Sequence, residues 1–305
     1  MLEIGKVVID DSCYSGEDYY SEGTIEDEML EIAKSIPSSR YNEIIRGREE
    51  WSILYHFSNL RGNIVSWLPI LATDSILEIG AGCGAITGAL LEKAGKVISN
   101  DLSMKRSLIN AYRHKEYEHL KLMVGNFEDV EKNLDGKFDW ITLIGVFEYA
   151  AAYINTSNPY VDFLKIIGKH LSPSGRIVIA IENRFGLKYW AGCKEDHTGT
   201  YFEGIEGYKN TDGVRTFSNQ ELCRIFHEAG LRKWKFHYPY PDYKLPTKIF
   251  SDEYLPKVGE LNENHMNFDN ERLVLFDESA VFDGMIEDGM FPYFSNSFLV
   301  VLEAE

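Results

Sequence analysis

The stretch Ser75–Leu90, "SILEIGAGCGAITGAL", carries glycine at every second position through Gly80, Gly82 and Gly84. Glycine lacks a Cβ, so such a turn lets a ligand touch main-chain atoms. A carboxylate, Glu78, stands two residues before the first glycine, and a second, Asp101, follows the apolar run "KVISN". An acid in the second place can accept both hydroxyls of a ribose. Glu78 suits a nearby sulfonium or ammonium group and repels a pyrophosphate. The spacing E-x-G-x-G-x-G also departs from the dinucleotide pattern G-x-G-x-x-G. A nucleoside joined to a cation, without pyrophosphate, describes S-adenosylmethionine (SAM). Both acids have local alternatives: Glu78 can cap nearby amides, and Asp101 or Ser103 can cap the helix that follows.

These residues need elements to position them. "SILEI" is short and apolar, as a buried parallel strand is. "AITGALLEKAG" has helical spacing through Ile86, Leu90 and Leu91, with Gly95 as a stop. Strand-like runs then alternate with helical ones: "KVISN", "LKLMV", "DWITLIG", "RIVIAIE", "KWKFHYPY" and "SNSFLVVLE". "SPSG" (Ser172–Gly175) reads as a turn, and Ser218 with Glu221 reads as a capping box opening a helix that stops at Gly230. Alternation of this kind implies an α/β fold with a parallel sheet, an antiparallel terminal pair, and ligands at the carboxyl ends of the strands.

"LEIGAGCGAIT", the acid of "SNDLS", "VGNFEDV" and "FDWITLIGVFEYA" together resemble the successive motifs of class I SAM-dependent methyltransferases. The resemblance covers Ser75 to Asn183. It implies a Rossmann-like fold: a seven-stranded, mostly parallel sheet with helices on both faces. It places Gly80, Ala81 and Gly82 against the methionine part of SAM, Glu78 at its amino group, and Asp101 at the ribose with Leu102 beside it. Asn126 stands where the family often has Asp; its carbonyl can still accept from the adenine amino group, and Phe127 offers its backbone N–H. Ile144 and Gly145 would flank the sulfonium. Glu148 falls beside the methyl donor, with a buried helix-capping role as the alternative.

The chain has 305 residues and a net charge of −17. Nucleic-acid binding leans on cationic contacts to phosphate, so a small-molecule acceptor is expected and nucleic acid is not. No apolar run is long enough for a transmembrane segment. Four scattered cysteines suit a reducing cytoplasm and give no zinc motif, and methyl transfer demands no metal. Residues 1–73 read as an N-terminal helical cap ahead of a domain spanning 74–305, with Thr24 as a possible N-cap and Tyr19, Tyr20, Trp51, Tyr55 and Arg61 available to line a pocket. Arg61 can pair with the methionine carboxylate or remain a surface residue. Two insertions, 184–216 and 242–295, have the length of lids or contact segments.

Methyl transfer from a sulfonium needs alignment and exclusion of water, and a hydroxyl acceptor also needs a base. "AIENRFGLKYWAGCKEDHTG" supplies candidates. His197 has the right intrinsic pKa, with Asp196 or Glu195 to orient it, and Glu148 and Glu182 stand next. The alternative for His197 is an ordinary loop histidine. Tyr238, Tyr240 and Tyr243 can stack on a sugar ring or pack in the core. That phrase, with "YPYPDYKLP" and "FSDEYLP", resembles a bacterial subgroup of these methyltransferases that accompanies glycosyltransferases in surface-polysaccharide assembly. The resemblance implies a sugar or glycan precursor as acceptor and a glycosyltransferase as partner. Two other classes remain open: a non-catalytic SAM-binding module, and an NAD-dependent sugar-nucleotide enzyme. The last expects Tyr-x-x-x-Lys, whereas "YVDFLK" sets Lys165 five residues after Tyr160.

Overall fold

The computed structural model describes residues 1–18, 21–211, 213–264 and 271–304; Tyr19 and Tyr20 lie outside the described residues. The chain forms two compact units, Met1–Leu143 with Ile167–Arg176, and Ile144–Ile166 with Ile177–Glu305.

The first unit holds strands β1 (Leu2–Ile4), β2 (Val7–Cys13), β3 (Ser75–Ile79), β4 (Lys96–Asp101), β5 (Leu120–Gly125) and β6 (Phe138–Ile144, whose last residue falls in the second unit). They run in the order β1-β2-β5-β4-β3-β6. All pairings except β1 with β2 are parallel. The apolar run predicted from "SILEI" is buried from Ile76 to Ile79, as a strand covered on both faces must be. The helices are α1 (Ile25–Ser35), α2 (Tyr41–Arg48), α3 (Trp51–Phe57), α4 (Asn63–Ser66), α5 (Thr87–Leu91), α6 (Met104–Arg113) and α7 (Phe127–Val130). The β5-β4-β3-β6 core has the 3-2-1-4 order of a doubly wound Rossmann-like sheet.

Three expectations change here. The first residues are not helical: β2 pairs in parallel with β5, through Val8↔Lys121, Ile9↔Leu122 and Asp10↔Met123, so the sheet exceeds seven strands. Alternating burial of Val7 and Ile9 gave a period-two signal too short to stand out. The expected helical cap is also interrupted, because Glu49 turns left-handed (φ 50°) between α2 and α3. Thr24 makes no side-chain cap. Instead Glu26, in the first turn of α1, is fully buried. It accepts from Arg106 Nε at 2.8 Å and Ser21 Oγ at 2.7 Å. Met29, Ile32, Tyr41, Ile53, Phe57, Cys83 and Ile109 form one apolar cluster, so the N-terminal helices pack on α6 and on the glycine turn.

The second unit holds β7 (Leu171–Glu182, of which Leu171–Arg176 belong to the first unit), β8 (Lys233–Tyr240), β9 (Lys248–Ser251) and β10 (Ser297–Glu303), in the order β7-β10-β8-β9. β8 pairs antiparallel with β10, as the terminal pair was expected to, and β9 covers its other edge. "SPSG" lies within β7 rather than in a turn. Its helices are α8 (Ala150–Tyr153), α9 (Pro159–Gly168, ending in the first unit), α10 (Leu187–Trp190), α11 (Glu203–Glu206), α12 (Asn219–Glu228), α13 (Glu278–Glu287) and α14 (Phe291–Phe294). The capping box at Ser218 is complete: Ser218 Oγ accepts from Glu221 N–H, and the Glu221 carboxylate accepts from Ser218 N–H at 2.8 Å. No described helix is long and apolar enough to cross a membrane.

Candidate active site

The glycine turn leaves β3 with both Gly80 N–H and Ala81 N–H donating to Asn100 O, at 2.8 and 3.0 Å. Asn100 is itself pinned, since its side-chain amide donates to Met123 O and Gly125 O. The tips of β3, β4 and β5 are thereby locked together. Gly80, Gly82 and Gly84 all have positive φ, but they serve different ends. A Cβ at Gly84 would sit 2.3 Å from Asn110 Oδ1, so that glycine admits α6. A Cβ at Gly82 would meet nothing within 4 Å, leaving open space over the turn.

Asp101 bridges this turn to α6. Its Oδ2 accepts from Gly82 N–H at 2.7 Å and its Oδ1 from Ser103 N–H at 2.9 Å. The helix cap is Ser103, whose Oγ accepts from Arg106 N–H. Burial raises the Asp101 pKa, against the Ser103 hydrogen bond and the Arg106 charge. Leu102 beside it is half-buried.

Glu78 does not cap backbone amides. Its buried Oε2 accepts from Thr87 Oγ1 at 2.6 Å and Ser99 Oγ at 2.7 Å. Burial pushes its carboxyl up to about 7, although those hydroxyls pull the other way. Sequence reasoning did not single out Thr87 or Ser99; both lie one turn or one strand from Glu78, invisible without the packing. Asn126 Oδ1 accepts from Glu128 N–H at 3.1 Å and so caps α7, leaving one lone pair for another donor. Phe127 is buried in α7. Arg61 is also buried, with Nη2 donating to Tyr55 Oη at 3.1 Å and the guanidinium 4.1 Å from the Tyr55 ring centroid. Arg113 was not foreseen: its Nη1 donates to Cys83 O in the turn and to His56 O at the end of α3. The open Gly82, the anchored acid Asp101 and the buried carboxylate Glu78 fit a cationic nucleoside such as SAM.

In the second unit, Gly145 follows Ile144 at φ +70°, and Gly145 N–H donates to Ala180 O. A Cβ there would lie 2.7 Å from Tyr243 Oη. Tyr238, Tyr240 and Tyr243 are all buried, so they pack in the core instead of presenting a stacking face.

The three acid–base candidates, scattered over fifty residues of sequence, come together. Ligand atoms of Glu148, Glu182 and His197 all lie within 4.8 Å of one another. His197 Nδ1 is 3.1 Å from Glu195 Oε1, and its Nε2 is 3.6 Å from Glu148 Oε1. Glu195, not Asp196, is the orienting acid; its other oxygen accepts from His197 N–H at 2.8 Å. Asp196 turns to Lys188, Lys244 and Tyr189. Lys244 Nζ also reaches Glu182 Oε1 at 2.7 Å, and Lys188 Nζ reaches Asp242 at 2.7 Å. Lys244 and Asp242 come from the second insertion, where their spacing carried no signal. Burial opposes the imidazolium, but Glu182, Glu148 and Glu195 outweigh it and hold the His197 pKa well above its ordinary value. Burial raises Glu148, and the Glu182 charge adds to that.

A family model described as "Methyltransferase domain" matches residues 45–235. Over 109 residues, the chain is 30% identical to ribosomal RNA small subunit methyltransferase A of Borreliella afzelii, covering 34% of this chain and 39% of that one. Over 82 residues, it is 34% identical to phosphoethanolamine N-methyltransferase 1 of Arabidopsis thaliana, covering 27% and 17%. The chain thus spans well under half the length of either relative. A SAM-dependent methyltransferase from Archaeoglobus fulgidus superposes with a TM-score of 0.50 at 14% identity, over 83% of this chain and all of that one; the likeness concerns the fold. The matched segment is more than half of the chain and contains the glycine turn, Asp101 and Glu148, so the chain belongs to the methyltransferase-domain family, with SAM as its cofactor.

Proposed function

We propose that this enzyme methylates a small hydroxylated or amino acceptor, of the sugar or glycan-precursor kind. The observation that carries this reading is the Glu148–Glu182–His197 cluster, which begins three residues after Gly145. An acidic chain of net charge −17 favours a small acceptor over nucleic acid. The sugar class, a glycosyltransferase partner and a cytoplasmic setting follow from the sequence resemblance and the four free cysteines.

SAM supplies a methyl group on a sulfonium, a leaving group that is already activated. Glu78, Gly80, Ala81, Gly82, Asp101, Leu102, Asn126, Phe127 and Arg61 would hold it. The α1–α4 segment would act as the cap. The acceptor's polar group would enter the cluster, where Glu195 fixes the His197 ring. A hydroxyl acceptor would pass its proton into the cluster, to Glu148 or Glu182 while His197 is an imidazolium and to His197 once its ring is neutral.

The test is a screen of nucleotide sugars and glycan fragments with labelled SAM, read as label transfer and S-adenosylhomocysteine release. Transfer to a hydroxyl or amine of such a compound is expected, and His197→Ala should lower it by about 10²-fold or more. SAM binding with no transfer to any of these acceptors would point to the non-catalytic module instead.

A further inference from the structure

We infer that Glu148, Glu182 and His197 form a binding site for one divalent metal ion of the Mn²⁺ or Mg²⁺ class. The inference rests on the reading of this cluster as the acceptor site, and it deepens it: the acceptor oxygen would be held through the ion.

Four observations support the site. First, the donor set is two carboxylates and an imidazole, which suits borderline-to-hard first-row ions. Second, the donors converge. Donors about 2.0–2.2 Å from such an ion lie at most about 4.4 Å apart, so a 4.8 Å spread closes with small side-chain shifts. Third, buried carboxylate oxygens of the cluster residues lack hydrogen-bond partners. Glu182 is 0% exposed and Glu148 1% exposed, yet Oε2 of each has no hydrogen bond. A buried carboxylate oxygen left this way costs free energy unless something positive meets it. Fourth, Glu195 accepts from the His197 Nδ1 side and turns Nε2 toward Glu148. That is the carboxylate–histidine arrangement that orients metal-bound imidazoles.

The charge balance agrees. Among the described residues, the linked network joins five carboxylates (Glu148, Glu182, Glu195, Asp196, Asp242) to three basic groups (Lys188, Lys244, His197). Lys244 Nζ occupies the Oε1 side of Glu182 and leaves Oε2 to an ion.

The experiment is a Mn²⁺ titration of the full chain after EDTA treatment and desalting, followed by loss of the free-Mn²⁺ EPR signal and by calorimetry. One equivalent should bind. Glu182→Gln and His197→Gln should each weaken uptake at least tenfold while SAM affinity, measured separately, is kept. Retained SAM binding shows that a variant has folded, and if one variant fails that check, the other decides together with Glu148→Gln. No Mn²⁺ uptake by the wild type, or equal uptake by the folded variants, overturns the metal site. Neither result touches the methyltransfer reading, which the acceptor screen tests both with and without added Mn²⁺. Stoichiometric binding lost in the variants supports the site whether or not an acceptor has been found.

Discussion

Glu78→Gln isolates the buried carboxylate beneath the glycine turn. In the folded chain the Glu78 pKa lies at about 7, against 4.5 for an exposed carboxyl. Between those values the folded state binds a proton that the unfolded state has released, so stability falls as pH rises. Its contribution is present while the folded carboxyl stays protonated and is lost as pH climbs through the folded pKa. Proton linkage with these two pKa values gives a loss of about 2.5 kcal/mol between pH 5 and pH 8. Glutamine keeps an acceptor oxygen for Thr87 Oγ1 and Ser99 Oγ and does not titrate. The assay is urea unfolding of wild type and variant, without SAM, at several pH values. The difference in unfolding free energy cancels the other titrating groups. It should move in favour of the variant by about 2.5 kcal/mol from pH 5 to pH 8. A pH-independent difference, or one of opposite sign, refutes the argument that burial outweighs the two hydroxyl hydrogen bonds.

Asp101→Ala should weaken SAM binding by about 1.5–3 kcal/mol, the worth of a charge-assisted hydrogen bond, in a calorimetric titration; unchanged affinity removes Asp101 from the ribose. Gly145→Ala places a Cβ 2.7 Å from Tyr243 Oη at φ +70°, so it should lower stability by about 1–3 kcal/mol. Tyr243→Phe should recover part of that loss in the double variant, and no recovery would mean that backbone strain alone is responsible. The α1–α4 segment should gain amide protection from hydrogen exchange when SAM is added, because Arg113 joins His56 O to Cys83 O in the glycine turn. A segment that exchanges identically with and without SAM is not a cap coupled to the cofactor.

Local chemistry was legible in the sequence. The glycine turn, the β/α alternation and the Ser218 capping box rest on neighbours within a few residues, and residue type and spacing specify these directly. A carboxylate two residues before the turn and another after the second strand were enough to suggest a cationic nucleoside. Tertiary structure decided what depends on residues far apart in the chain. It added β2 to the sheet beside β5 and made Glu26 a buried partner of Arg106. It separated Gly82, which faces open space, from Gly84, which admits α6. It raised the Glu78 pKa by burying the carboxyl, against the pull of the Thr87 and Ser99 hydroxyls. It also joined Glu148, Glu182 and His197 to Lys244 of the second insertion. No periodicity encodes that last convergence, because side chains meeting through the packing of irregular insertions leave no repeating pattern in the sequence.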